Sequence, residues 1–133
     1  MARTTQPAFD LLSTYVHLAD GGDAVSVEVD ASFWAKIGSR VALHGGRLVG
    51  VTHQTGDWPT WEGHPAGDEL IVLFSGAVDI VLQDQEGERV VELRRGAAYI
   101  VPRGVWHRFI VSTPGDALCI TPGSGTQHRP SSP

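Results

Sequence analysis

Glu62, His64 and Glu69 stand within eight residues of one another in TWEGHPAGDELIVLFSG (60–76), beside the apolar run Leu70–Phe74. Two carboxylates held that close cannot both ionise cheaply; one of them keeps a proton and its pKa rises. A divalent cation removes the conflict, because Glu62 and Glu69 balance its charge while neutral imidazole adds an uncharged donor. His107, in VWHRF with Val105 and Phe109 as same-face neighbours, is the fourth donor in this reading. Two carboxylates with two imidazoles suit one divalent transition metal ion: Fe(II), Mn(II), Zn(II), Co(II) or Ni(II). The competing reading is a solvated Glu/His hairpin that holds no ion.

Four protein donors leave an octahedral ion two adjacent open positions. If Glu62 swings off, two imidazoles and one carboxylate remain, the facial arrangement of non-haem iron oxygenases, and a detached Glu62 can serve as a catalytic general base. His53, ending the strand VGVTH, is expected at the rim of a substrate pocket. Trp58, in the loop before the ligand strand, is expected to line its mouth, with Ile71 and Phe109 as the inward neighbours of the donors. Trp61 and Trp106 flank donors in sequence, so alternation sends them to the opposite face. His17 and His44 read as structural or solvated, Cys119 as core packing, and His128 as part of a disordered tail.

These residues need strands to position them. Alternate side chains of a strand share a face, so Glu62 and His64 point the same way. The four-residue turn Pro65–Asp68 predicts that His64 and Glu69 face each other across an antiparallel pair, with Cβ atoms about 4.5–5.5 Å apart. About ten short strands are expected: two around the tip at 19–23, then 47–53, 60–64, segments starting at 69 and 77, and further ones at 89–94, 96–102, 105–111 and 117–122. DASFWAKIG is the one helical candidate, capped by Asp30 or Ser32 and ended by Gly38. Gly76, Gly96 and Gly104 read as turn or bulge positions.

The chain has 133 residues, 41% hydrophobic, with sixteen glycines and eight prolines. That length suits one domain with a real core, and that punctuation suits an all-β fold. A formal charge of −5 without a basic run argues against a nucleic-acid partner. One cysteine permits no intrachain disulfide and fits a reducing compartment. The start lacks an apolar signal region, and no apolar run approaches the ~20 residues needed to cross a bilayer. The expectation is a cytoplasmic protein with no membrane partner.

The spacings also resemble those of the cupin superfamily, small jelly-roll β-barrels named for two short motifs. The first runs glycine, five residues, histidine, one residue, histidine, three or four residues, glutamate, six residues, glycine. Gly56, Glu62, His64, Glu69 and Gly76 fall at those positions, with Glu62 in place of the first histidine. The second runs glycine, five residues, proline, one residue, glycine, two residues, histidine, three residues, asparagine. Gly96, Pro102, Gly104 and His107 match it, and Val111 replaces the asparagine. The resemblance implies an all-β jelly-roll barrel over about 40–121, preceded by strands at 13–30 and at most one or two short helical turns, and followed by a flexible tail at 122–133, all in a single domain. It implies Glu62, His64, Glu69 and His107 as metal ligands and a small-molecule substrate. The implied activity is a dioxygenase or oxidase type, the alternatives being a metal-assisted isomerase or lyase, or a non-catalytic binding cupin. A homodimer is expected, because Phe33, Trp34 and the outward faces of Leu70, Val72 and Phe74 leave much apolar area to cover.

Overall fold

A computed structural model describes residues 7–131. Among these, eleven strands form two antiparallel sheets that face each other. They are β1 (Thr14–Leu18), β2 (Ala24–Glu28), β3 (Arg47–Gln54), β4 (Thr60–Gly63), β5 (Glu69–Leu73), β6 (Ala77–Asp84), β7 (Gly87–Arg94), β8 (Ala98–Val101), β9 (Trp106–Thr113), β10 (Gly115–Pro122) and β11 (Gln127–Pro130). One sheet runs β2-β1-β3-β10-β5-β8 and the other β11-β4-β9-β6-β7. The fold is an all-β jelly roll. No helix among the described residues is long and apolar enough to cross a membrane.

Period-two patterning makes the interior. On β5, Glu69, Ile71 and Leu73 point in while Leu70 and Val72 point out. On β9, His107 and Phe109 point in between half-buried Trp106, Arg108 and Ile110. Ile71, Leu73, Val78, Ile80, Leu82 and Phe109 are fully enclosed, and Leu93, Val101 and Ala117 complete the cluster. Each large apolar side chain removed from water in this way contributes about 1.5–3 kcal/mol. Tyr99 packs against the same cluster, which settles its face as inward.

A second cluster of Tyr15, Val27, Phe33, Leu43 and Leu48 joins the N-terminal hairpin to the helical segment. Tyr15 and Phe33 meet edge to face at 5.5 Å. The helix α1 (Phe33–Lys36) is one turn, followed by 3-10 turns at Ile37–Ser39 and Val41–Leu43. Ser32 occupies the N-cap position without a side-chain cap bond; instead Asp30 Oδ1 accepts from the Ser32 N–H at 2.9 Å. Gly38 lies inside the first 3-10 turn and does not end the segment. Phe33, expected to add exposed apolar area, is buried, whereas Trp34 is 57% exposed.

Two expectations are corrected. β4 and β5 do not form a hairpin: β4 pairs with β9 and β11, β5 with β8 and β10. The turn at 65–68 crosses from one sheet to the other, so His64 and Glu69 approach through the barrel interior. A four-residue connection permits either geometry, and the apolar inward faces of both sheets favour the crossing. The tail, of which residues 132 and 133 lie outside those described, also carries a strand. β11 pairs antiparallel with β4 in the register His128↔Glu62. Its Arg129 lies over the rings of Trp106 and Trp61, at 4.5 and 5.7 Å, so the tail covers the outer tryptophans. Gly76, Gly96 and Gly104 have φ of 79, 83 and 76°, the left-handed conformation expected at turns.

Candidate metal centre

Glu62 sits on β4 directly opposite His107 of β9, His64 follows β4, and Glu69 opens β5 across the interior. One donor atom from each of these four side chains lies within 4.8 Å of all the others. His64 Nε2 is 2.9 Å from Glu62 Oε1 and 3.3 Å from Glu69 Oε2, and His107 Nε2 is 3.0 Å from Glu69 Oε1. Despite this proximity, His64 Nε2, His107 Nε2 and Glu69 Oε1 are buried without a hydrogen bond. Buried polar atoms are rarely left so, and three of them aimed at one point are the donor set a divalent ion fits.

The outward atoms of the same side chains are held. His64 Nδ1–H donates to Thr126 Oγ1 at 2.9 Å, Thr121 Oγ1–H donates to Glu69 Oε2 at 2.7 Å, and His128 Nε2–H donates to Glu62 Oε2 at 3.3 Å. His107 Nδ1 faces Val105 O at a long 3.4 Å. With the single proton of each neutral ring on Nδ1, both Nε2 lone pairs are left for an ion, the usual way outer partners set an imidazole's tautomer. Thr121, Thr126 and the contact of His128 were not read from sequence. A threonine is too common for its type to signal such a role, and β11 carries no strong strand pattern.

The electrostatics without an ion are those of ion pairs. Burial pulls the His64 imidazole down, but contact with Glu62 and Glu69 outweighs it and lifts it to about 9. Burial pushes Glu62 up, yet His128 and His64 overcome that and bring it to about 2. Glu69 is likewise held low against its burial, by His107 and His64. Burial drives the Cys119 thiol well up, with the charges of Glu69 and Glu62 adding to it, so it stays a neutral packing group.

Glu62, His64 and Glu69 border a cavity of about 740 Å³. Trp58 lines it, and its ring stacks on Phe109 at 4.3 Å. The other three pocket expectations are corrected. His53 points away and pairs with Asp116 at 2.7 Å, its side chain 58% exposed, because β3 register sends residue 53 to the outer side. Ile71 and Phe109 do face inward but are wholly enclosed in the core and do not line the cavity. His17 is buried and donates from Nε2 to Gly45 O at 2.6 Å, a structural bond. His44 is exposed at the cavity edge and donates to Gly38 O at 2.9 Å.

The cupin domain family matches residues 50–123. Among solved structures, a cupin-2 domain protein from Shewanella frigidimarina NCIMB 400 is 22% identical over 57% of this chain and 70% of its own, with a TM-score of 0.50. An oxalate oxidase in complex with the substrate analogue glycolate is 14% identical over 62% of this chain and 44% of its own, TM-score 0.50. A hydroquinone 1,2-dioxygenase from Sphingomonas sp. TTNP3 with 4-hydroxybenzoate bound is 16% identical over 59% of this chain and 60% of its own, TM-score 0.50. At these identities the likeness establishes the fold. No curated protein matches the sequence.

Proposed function

This chain belongs to the cupin domain family, and from that premise we propose that it is a metal-dependent enzyme acting on a small organic molecule by dioxygenase- or oxidase-type chemistry. The observation that carries the reading is the set of three buried, unbonded donor atoms converging with Glu62 at the edge of a cavity. Glu62, His64, Glu69 and His107 would hold one divalent transition ion. Its identity among Fe(II), Mn(II), Zn(II), Co(II) and Ni(II) is open to the donor chemistry. When bound, such an ion supplies Lewis acidity and, if redox-active, electron transfer to dioxygen.

The chain's own residues do the rest. Glu69, His64 and His107 are almost fully enclosed, with side-chain exposures of 3%, 2% and 0%, whereas Glu62 is 22% exposed. Glu62 is therefore the donor able to leave. It is ionised at neutral pH and takes a proton from a substrate hydroxyl or carbon acid at its Oε1. His128, bonded to Oε2, keeps that carboxylate facing the cavity. Trp58 forms one wall and shields the donors from bulk water. The protein acts in the cytoplasm as a homodimer in this reading; its single cysteine suits a reducing compartment.

The test is metal analysis of the purified protein, followed by oxygen uptake with Fe(II) and a panel of phenols, diketones, thiols and aromatic acids. Stoichiometric metal with oxygen consumption that Glu62→Gln abolishes, while the ion stays bound, supports the enzyme. Metal-dependent stability with no turnover on any substrate supports a binding cupin instead.

A further inference from the structure

The cavity's charge and its hydrogen-bond economy restrict what can enter it. None of the lining residues among those described is a lysine or arginine. Nearby guanidinium groups are committed elsewhere. Arg40 lies over the Phe33 ring at 5.6 Å, Arg108 and Arg129 lie over Trp61, and Arg47 donates to Asp68 O. At the floor, Glu62 and Glu69 together cancel the charge of a divalent ion. The two carboxylates thus leave a bound divalent ion no surplus positive charge of its own to offer an entering molecule.

The polar groups of the wall are also largely spent on each other. Trp58 Nε1–H donates to Gln54 Oε1 at 2.8 Å, and Gln54 Nε2–H donates to Thr52 Oγ1 at 2.7 Å. Thr121 and Thr126 are bonded to Glu69 and His64. What remains facing the space is mostly apolar, Trp34, Ile37, Leu43, Leu48 and the Trp58 ring; the polar exceptions are Ser124, His44, which bonds Gly38 O, and His128, which bonds Glu62. A carboxylate or phosphate placed against that apolar wall would lose its water and find no lysine or arginine to replace it. Two tryptophans and three aliphatic side chains suit a flat apolar body.

We propose that this cavity takes an uncharged organic molecule with an apolar, ring-sized body, one neutral polar end of which reaches Glu62 and the metal centre, and that it discriminates against carboxylates and phosphates. The inference rests on the ion-binding reading above for what the polar end meets, and on the lining alone for the charge preference.

A matched pair of probes tests it: 2-naphthamide and 2-naphthoate, equal in shape and different by one charge. Metal stoichiometry is measured first, so that failure to bind an ion is recorded separately from the charge preference. Binding is then followed by quenching of tryptophan fluorescence, since Trp34 and Trp58 line the cavity, in metal-free and Zn(II)-loaded protein at pH 8. The amide is expected to bind at least tenfold more tightly than the carboxylate in both forms. The test is stringent because a carboxylate is by itself the better ligand for a divalent ion. Glu62→Gln removes one negative charge at nearly constant shape and is expected to shift the ratio at least tenfold towards the carboxylate, which selection by shape alone would not do. Equal or tighter binding of the carboxylate to the unaltered protein overturns the proposal. So does failure of both probes to bind at millimolar concentration, or a ratio that Glu62→Gln leaves unchanged in folded protein.

Discussion

Raising the pH from 7 to 9 is expected to strengthen metal binding by about fiftyfold, because His64 must give up a proton before its Nε2 can accept an ion. In the metal-free protein the two adjoining carboxylates lift that imidazole to about 9. At pH 7 roughly 99 molecules in 100 then carry the proton, and displacing it across two pH units costs about 2.7 kcal/mol. An ordinary imidazole near 6.5 would impose almost no such cost above pH 7. The dependence has a definite sign and window: apparent affinity climbs about ninefold from pH 7 to 8, about fivefold from 8 to 9, and levels off above. The assay is competition against a chromophoric chelator for Zn(II) or Co(II), paired with calorimetry in buffers of different ionisation enthalpy. About one proton should be released per ion at pH 7, against about a quarter for an unperturbed imidazole. Affinity that is flat between pH 7 and 9, with less than half a proton released, would refute the reasoning. The same linkage acts on folding in the absence of metal. His64's folded value lies above its unfolded one, so its stabilisation is complete below about 6.5 and is lost as pH rises through about 9.

Thr126→Val removes the bond that fixes the His64 ring, and is expected to weaken metal binding about 10–100-fold while Thr126→Ser restores it; chelator competition reads this, and equal affinity in all three proteins would show the bond to be incidental. Phe109→Ala empties a fully enclosed site and strips the Trp58 stack, so urea denaturation should show a loss of about 3–5 kcal/mol. On the outer face of the six-stranded sheet, Leu70 lies between Ile100 and Ile120, and Ile100 is 59% exposed. A homodimer burying this face would give a light-scattering mass of twice 14.3 kDa, with Ile100→Asp shifting it to the monomer; a monomer for the unaltered protein at tens of micromolar sinks the expectation.

Much of the architecture was legible because it depends on local rules. Alternation on β5 and β9 places Glu69, Ile71 and Leu73, and His107 and Phe109, on inward faces whatever the strands pair with. The left-handed backbone at Gly76, Gly96 and Gly104 is a single-residue requirement. Less visible were the elements whose form depends on what lies beside them. β11 contains Gln127, His128, Arg129 and Pro130 and has no apolar periodicity; it exists as a strand because β4 presents an open edge and Trp61 and Trp106 present rings for Arg129. His53 has the right type and an apt position in sequence, yet the β3–β10 register pairs it with Asp116 on the wrong side of the sheet.

By itself the sequence determined which side chains are of a type able to hold an ion and the face most of them present, since residue type and strand period are properties of a few neighbouring residues. Only the tertiary structure decided that Glu69 meets His64 through the barrel interior and not across a hairpin, that the C-terminal segment brings Thr126 and His128 to bond the centre, and that no lysine or arginine among the described residues lines the cavity. Those are matters of which distant segments share a space. They are settled by burying two sheets against each other, a sum over the whole chain that no short stretch encodes.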